Sequence, residues 1–337
     1  MLNGAIPQTF RFSTMKHTTS ALAAALSVSV LALLPATGRA QNFVFPSFTS
    51  NAGLQVNGNA ATDVTGQDGT SKVLRLTPAS DDQAGSAFSL NKVQLGSNAS
   101  FSTAFSFQMW NGGGISDGTG NTPGADGIVF VLNTVSNTVG SLGQGVGYQG
   151  ISNSVGIKFD TWDDSTANGF PQDNDPNGNF VAIYNDGSTH LYDSSNPSNP
   201  YNNAATDAMG SYTPADLMKN GDTWYAWIDY NGTTDELDVR LSETDVRPTL
   251  ANLSETLDLN GASILGSSPN VYAGFTSGTG SAYDNNDILN WQFNDTYNPI
   301  TTVGNVPDQG PSLGMMAAVL LGLCSMAACA KRRGFAA

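Results

Sequence analysis

Ala99–Gln108 reads ASFSTAFSFQ, which places Phe101, Phe105 and Phe107 at odd positions. A period of two puts the three rings on one side of a pleated strand. Runs of the same kind recur on either side. Trp224–Tyr230 (WYAWIDY) and Leu237–Leu241 (LDVRL) flank Asn231–Glu236, a hairpin turn. Gly127–Leu132 (GIVFVL) is almost wholly apolar and is expected as a buried central strand. Val155–Phe159 and Phe180–Tyr184 bracket an Asp-rich loop, Val73–Thr77 is a further alternating run, and Val271–Thr276 and Ile288–Phe293 close the body. No stretch carries a helical period of useful length, and Pro214–Lys219 suits one short turn of helix. Short strands separated by Gly, Asn, Asp and Pro define an all-β chain, a sandwich or barrel. No Pro/Ser linker interrupts residues 41–296, which read as one domain.

Composition supports this. Of 337 residues, 28 are acidic, and only Glu236, Glu243 and Glu255 among them are Glu. Glu favours helix interiors, whereas Asp favours turns, caps and metal loops. A formal net charge of −15 excludes the basic stripe that a nucleic-acid binder needs. His occurs twice, at His17 and His190, which rules against a Ser-His-Asp triad or a multi-His metal site in the body.

The ends read as addresses. Arg11 and Lys16 precede the apolar run Ala21–Leu34, and Gly38-Arg39-Ala40 sets small residues at the −3 and −1 positions before Gln41. Residues 1–40 are therefore expected to be a cleaved signal peptide, the alternative being a membrane anchor. After a 297–312 linker, Val306-Pro307-Asp308 leads to the apolar segment Leu313–Ala330 and the basic tail 331–337, which begins Lys331-Arg332-Arg333. The segment is just long enough to span a bilayer, with its basic cluster cytoplasmic. This arrangement resembles the PEP-CTERM sorting signals of bacterial surface proteins, in a Val-Pro-Asp variant. The resemblance implies transient membrane anchoring, an exosortase-type partner and removal of the tail; a permanent single span is the alternative. Cys324 and Cys329 both lie in this segment, so the body has no disulfide. Residues 41–305 carry 27 acids and 7 bases, and the exported body is more acidic than the whole chain.

Eight short runs occur in an order that resembles the legume-type (L-type) lectins. They are Phe43–Phe48, Leu74–Thr77, Gln83–Phe88, Phe101–Phe105, Ala125-Asp126-Gly127, Phe159-Asp160-Thr161-Trp162, Ile228-Asp229-Tyr230 and Asp287–Trp291. The resemblance covers nearly all of the body. It implies a concanavalin-like jelly-roll sandwich of antiparallel sheets, non-catalytic, that binds carbohydrate in loops over one sheet. The terminal segments are expected as cleavable hydrophobic helices outside that domain.

Asp160, Asp163, Asp164, Asp173 and Asp175 fall within sixteen residues that contain no Lys or Arg. Such a loop is either a solvated acidic face or a Ca²⁺ site, since Ca²⁺ takes six to eight oxygens. The resemblance implies the latter, with Asp160 a bidentate or bridging carboxylate, Trp162 giving its backbone carbonyl, Asp164 standing where Asn is usual and Asp175 closing the set. The stretch is longer than in plant members, so Asp173 competes with Asp175, and a second Ca²⁺ is open to Asp163 or Asp173. Plant members hold a transition metal through a Glu and a His where this chain has Lys158 and Phe180. No Mn²⁺ site is expected.

For sugar, the resemblance implies that Asp126 is the principal hydroxyl acceptor, preceded by a cis peptide that the metal holds. It places an N–H donor within Gly143-Gln144-Gly145. It stacks Trp162 on the sugar ring and lets Asp164 serve metal and sugar together. Ser281 and Ala282 fill the loop that sets sugar preference. Read without the family, Ala125-Asp126-Gly127 is a turn and Trp162 a core aromatic. A single shallow site binds weakly, and a homo-oligomer or dense display would supply avidity. The competing functions are a structural adhesin with a degenerate lectin site and a glycoside hydrolase of the same sandwich class. The hydrolase needs paired carboxylates, usually Glu, and no Glu-x-Asp-x-Glu run exists. His190, in Thr189-His190-Leu191-Tyr192-Asp193, loosely resembles a sugar- and Ca²⁺-contacting position of animal members.

Overall fold

The computed structural model describes residues 42–138, 145–165, 174–195, 198 and 203–304. The signal peptide, the sorting segment, Gly143, Gln144 and Asp173 lie outside the described residues. In chain order the strands are β1 (Phe43–Phe45), β2 (Leu54–Gly58), β3 (Ala61–Thr65), β4 (Lys72–Thr77), β5 (Ala84–Ser89), β6 (Val93–Gln94), β7 (Phe101–Gly114) and β8 (Gly127–Asn133). They continue with β9 (Ser154–Asp160), β10 (Phe180–Asn185), β11 (Ser211–Tyr212), β12 (Trp224–Asn231), β13 (Glu236–Ser242), β14 (Leu253–Thr256), β15 (Asn270–Gly278) and β16 (Ala282–Asn294).

These strands form two antiparallel sheets. The back sheet runs β14-β13-β12-β7-β16-β4-β3, with β1 paired to β16. The site sheet runs β11-β10-β9-β8-β15-β5-β2, with β6 paired to β15. Between the sheets lies an apolar core that includes Phe101, Phe105 and Phe107 from β7, Phe130 from β8, Phe159 from β9, and Trp291 from β16. The odd-numbered Phe residues of β7 thus face one way, as their spacing predicts. Pairing Asn231 with Glu236 closes the expected β12–β13 hairpin.

The inner strands β8, β9 and β10 of the site sheet are buried on both faces, which explains the unbroken apolar run of β8. Ile128, Phe130 and Leu132 point into the main core. Val129 and Val131 point outward into a second apolar cluster with Val146, Tyr148, Ile151, Phe180, Ala182 and Tyr184. Loop residues 146–151 cover that outer face. Gly156 of β9 leaves the room that the Tyr148 ring takes, since a Cβ there would lie 2.7 Å from Tyr148 Cζ.

Two sequence expectations are refined. Helical structure near Pro214–Lys219 is a single 3₁₀ turn at Met218–Asn220. The expected linker after residue 296 stays on the back sheet through the described residues. Ile300 and Val303 pack against Trp227, and the Val303 N–H donates to Asp245 Oδ1 at 2.8 Å. Among the described residues no helix is long and apolar enough to cross a membrane.

Glu255 on the edge strand β14 is half-buried, and its pKa is raised from 4.5 to about 7 by burial, partly offset by the backbone N–H groups of Gly210 and Met209. A carboxyl whose pKa is raised on folding stabilises the fold below its unfolded pKa and loses that contribution as pH rises through the folded one. Parent stability is therefore expected to fall between about pH 4.5 and 7 by up to roughly 2–3 kcal/mol more than that of Glu255→Gln. Urea unfolding at both pH values checks this. In the core, Phe105→Ala is expected to cost about 3–5 kcal/mol. Leu250→Ala, at a position 80% exposed, should stay within about 0.5 kcal/mol in the same assay.

Candidate functional site

Strand period and register place the candidate residues. Lys158 and Asp160 are two apart on β9, so they share the outer face of the site sheet. Asp160 stands opposite Gly127 of β8 on one side and Phe180 of β10 on the other. Lys158 stands between Val129 of β8 and Ala182 of β10 in the strand register. Its ammonium pairs with Asp160 Oδ2 and lies 6.0 Å from the centroid of the Phe180 ring.

Beyond β9 the chain folds back on its own carboxylates. Asp160 Oδ1 accepts the Trp162 N–H at 2.9 Å, and Asp175 Oδ2 accepts the Asp164 N–H at 3.0 Å. The Asp163 N–H donates to Asp117 Oδ2 at 2.9 Å, and its own Oδ1 caps Ser165. The Ala125–Asp126 peptide is cis, as the resemblance implies. The Asp126 N–H donates to Gly278 O at 3.1 Å, and its carbonyl accepts the Thr161 N–H at 3.3 Å. The two loops are thereby bound to each other. Ala125, Trp162 and Ala282 form a small apolar cluster that adds the start of β16 to them. Ser281, beside it, is exposed, and its carbonyl accepts the Ile115 N–H at 3.1 Å.

Asp126, Asp160, Asp164 and Asp175 are thus gathered, and none is more than 6% exposed. Burial pushes the Asp126 carboxyl well above the usual carboxylate range, Asp164 and Asp160 push it further, and Lys158 partly offsets them. Asp175 is raised in the same way, by burial and then by Asp160. Burial alone would lower the Lys158 ammonium, but Asp160, Asp175, Tyr184 and Asp164 together raise it well above its ordinary value. Asp126 Oδ2 and Asp175 Oδ1 are buried and have no hydrogen-bond partner. Four carboxylates around one ammonium leave excess negative charge, and lone buried oxygens are the donors that a hard divalent cation takes. The donor chemistry therefore fits Ca²⁺. Among the described residues no three acidic, His or Cys side chains converge as a finished metal site. Lys158 and Phe180 offer no donor to a transition metal.

The remaining candidates are placed as follows. Trp162 is 9% exposed and packs with Ala125 and Ala282. Gly145 is buried, and its carbonyl accepts from Tyr148 and Gln149 in a turn. Half-buried His190 lies in a segment bridged to Ala208.

Sequence reasoning passed over one node. Lys219 is buried, and its ammonium donates to Thr161 O at 2.8 Å and Gly124 O at 3.2 Å. It stands 3.6 Å from Asp117 Oδ1 and offsets the burial that raises Asp284. It therefore clamps the residue before Ala125 to the residue before Trp162. Its scarcity was the available signal, since Lys219 is one of only seven basic residues in the body. Lys219→Met strips a cation from buried Asp117 and Asp284 and is expected to cost about 3–5 kcal/mol in urea unfolding.

Two stacked antiparallel sheets, with acidic loops gathered at one end of the inner strands of one of them, define a lectin-type jelly-roll sandwich. A family model described as the legume lectin beta-barrel domain matches residues 46–291, and the chain belongs to this L-type lectin family. Among curated relatives, L-type lectin-domain containing receptor kinase VIII.1 of Arabidopsis thaliana is 26% identical over 234 residues, 68% of this chain and 27% of its own length. Receptor kinase IV.1 of the same plant is 25% identical over 272 residues, 75% of this chain and 37% of its own. The chain thus spans about a third of these relatives. Lectin II from Ulex europaeus shares the fold at a TM-score of 0.54 and 23% identity, over 75% of this chain and 97% of its own. The Bauhinia forficata lectin, solved in complex with GalNAc, does so at 0.55 and 20%, over 79% and 100%.

Proposed function

We propose that this chain is an exported, surface-displayed, calcium-dependent carbohydrate-binding protein that performs no catalysis. The observation that carries the reading is the buried, partnerless Asp126 Oδ2 beside Asp160 and Asp164, in a chain of the L-type lectin family. A carboxylate oxygen of this kind accepts two adjacent sugar hydroxyls, which restore the hydrogen bonds it lacks. Asp160, Asp164 and Asp175, with the Trp162 carbonyl, would hold Ca²⁺; when bound, it supplies positive charge that keeps these carboxylates ionised and fixed. Asp126 is bonded to the same loop through Thr161, so order in the metal loop is order in the sugar acceptor. Exposed Ser281 borders the site and is available to a ligand. Relatives solved with galactose, Tn-antigen and GalNAc support a glycan as the ligand class.

Export rests on the signal peptide read in residues 1–40. Display rests on the sorting segment, with an exosortase-type enzyme as partner and a transient inner-membrane anchor. Several copies on one surface, or a homo-oligomer, supply avidity. Glu236 and Glu255, on β13 and the edge strand β14 of the back sheet, stand apart from the Asp126 cluster, which disfavours paired-carboxylate hydrolysis.

A glycan array probed with the exported body, with Ca²⁺ and then with EDTA, tests the proposal. Binding that EDTA removes and Ca²⁺ restores is expected. Asp126→Asn should weaken it at least tenfold, while calorimetry shows Ca²⁺ still bound. Retention unaffected by EDTA would sink the calcium requirement, and no retained glycan would favour the structural adhesin.

A further inference from the structure

We propose that the Lys158 ammonium is a tethered cation that does the work of a bound metal ion. It neutralises Asp160, so the loop needs one divalent cation fewer than its carboxylates would otherwise demand. The inference deepens the metal part of the proposed function and is independent of which sugar binds.

Three observations carry it. First, Lys158 is 2% exposed on the outer face of β9, opposite Val129 of β8 and Ala182 of β10. Lysine is almost never fully buried unless paired, and here the pairing is with Asp160, at the root of the acidic loop. Secondly, the surroundings suit an ammonium and no transition metal. Phe180, opposite Asp160 in the β9–β10 ladder, offers its ring face to the ammonium at 6.0 Å, a cation–π contact with no ligand atom. Lys158 and Phe180 therefore act as a pair, one bringing the charge and the other a face that tolerates it. Thirdly, the ammonium does not balance the site. Asp126 Oδ2 and Asp175 Oδ1 remain buried without a hydrogen-bond partner, so the side chain replaces part of the positive charge and leaves room for a divalent ion.

A fixed side chain differs from an ion in one useful way: it is never lost to a chelator. Asp160 keeps its Lys158 partner on β9 whatever the Ca²⁺ concentration, whereas the ion that Asp160 would share with Asp164 and Asp175 depends on free metal.

The test is a difference in stoichiometry. The parent, Lys158→Met and Lys158→Arg are dialysed against EDTA and titrated calorimetrically with CaCl₂ and, separately, with MnCl₂. Lys158→Met is expected to bind one more divalent ion per chain than the parent, and Lys158→Arg the same number as the parent. Equal stoichiometry in the parent and Lys158→Met, with either metal, overturns the proposal. A parent that binds no ion beside a Met variant that binds one upholds it while removing the calcium part of the proposed function. Where Lys158→Met is unfolded in EDTA by circular dichroism, refolding by Ca²⁺ or Mn²⁺ upholds the proposal only when the refolded variant holds one more ion per chain than the parent, and refolding with the parent's number overturns it. Unfolding that neither metal reverses overturns it.

Discussion

Negative charge without enough water is the condition to which the rest of this molecule answers. Asp126, Asp160, Asp164 and Asp175 come together where both faces of a sheet are covered. Two like charges 4 Å apart repel by about 4 kcal/mol at the effective dielectric of a protein, on top of the cost of desolvating each. A fold that stays marginally stable overall must find countercharge for such a cluster. Lys158 supplies one positive charge from within the strand, backbone N–H groups of Trp162 and Asp164 supply partial ones, and the orphaned oxygens mark what is still owed.

The architecture follows from bringing those groups together. The outer cluster around Tyr148 and Tyr184 seals the face on which Lys158 and Asp160 lie. It excludes water and makes the ion pair strong enough to organise a loop. The Lys219 clamp then transmits that order sideways. By holding Gly124 O and Thr161 O it fixes the spacing between the Asp126 loop and the Asp160 loop. Ala125, Trp162 and Ala282 fill the remaining gap. The site is thus built from the strand outward, with the exposed Ser281 at its rim.

The strands were legible because their signals are local. Alternation in β7 and the apolar run of β8 report burial directly, and the order of short runs was enough to indicate the family. Asp126, Asp160, Asp164 and Asp175 were legible only through that resemblance, since their meeting depends on the β8–β9 and β9–β10 registers. Lys158 could be read as a misfit at a ligand position, but its contact with Phe180 comes from cross-strand pairing, which no spacing along one chain reveals. Lys219 gave still less, being 95 residues from Gly124 and 58 from Thr161. Trp162 carries a sugar-stacking expectation and a core expectation together in sequence, and its packing with Ala125 and Ala282 shows the core role.

The central claim is that buried excess carboxylate charge holds one divalent cation next to a sugar-accepting Asp126. Anomalous diffraction from crystals grown with Ca²⁺ and an array-selected glycan measures this directly. A single calcium peak in contact with Asp160 and Asp175, and a sugar hydroxyl on Asp126, are the expected result. A site that stays metal-free at saturating Ca²⁺, or a glycan seated away from Asp126, would contradict it.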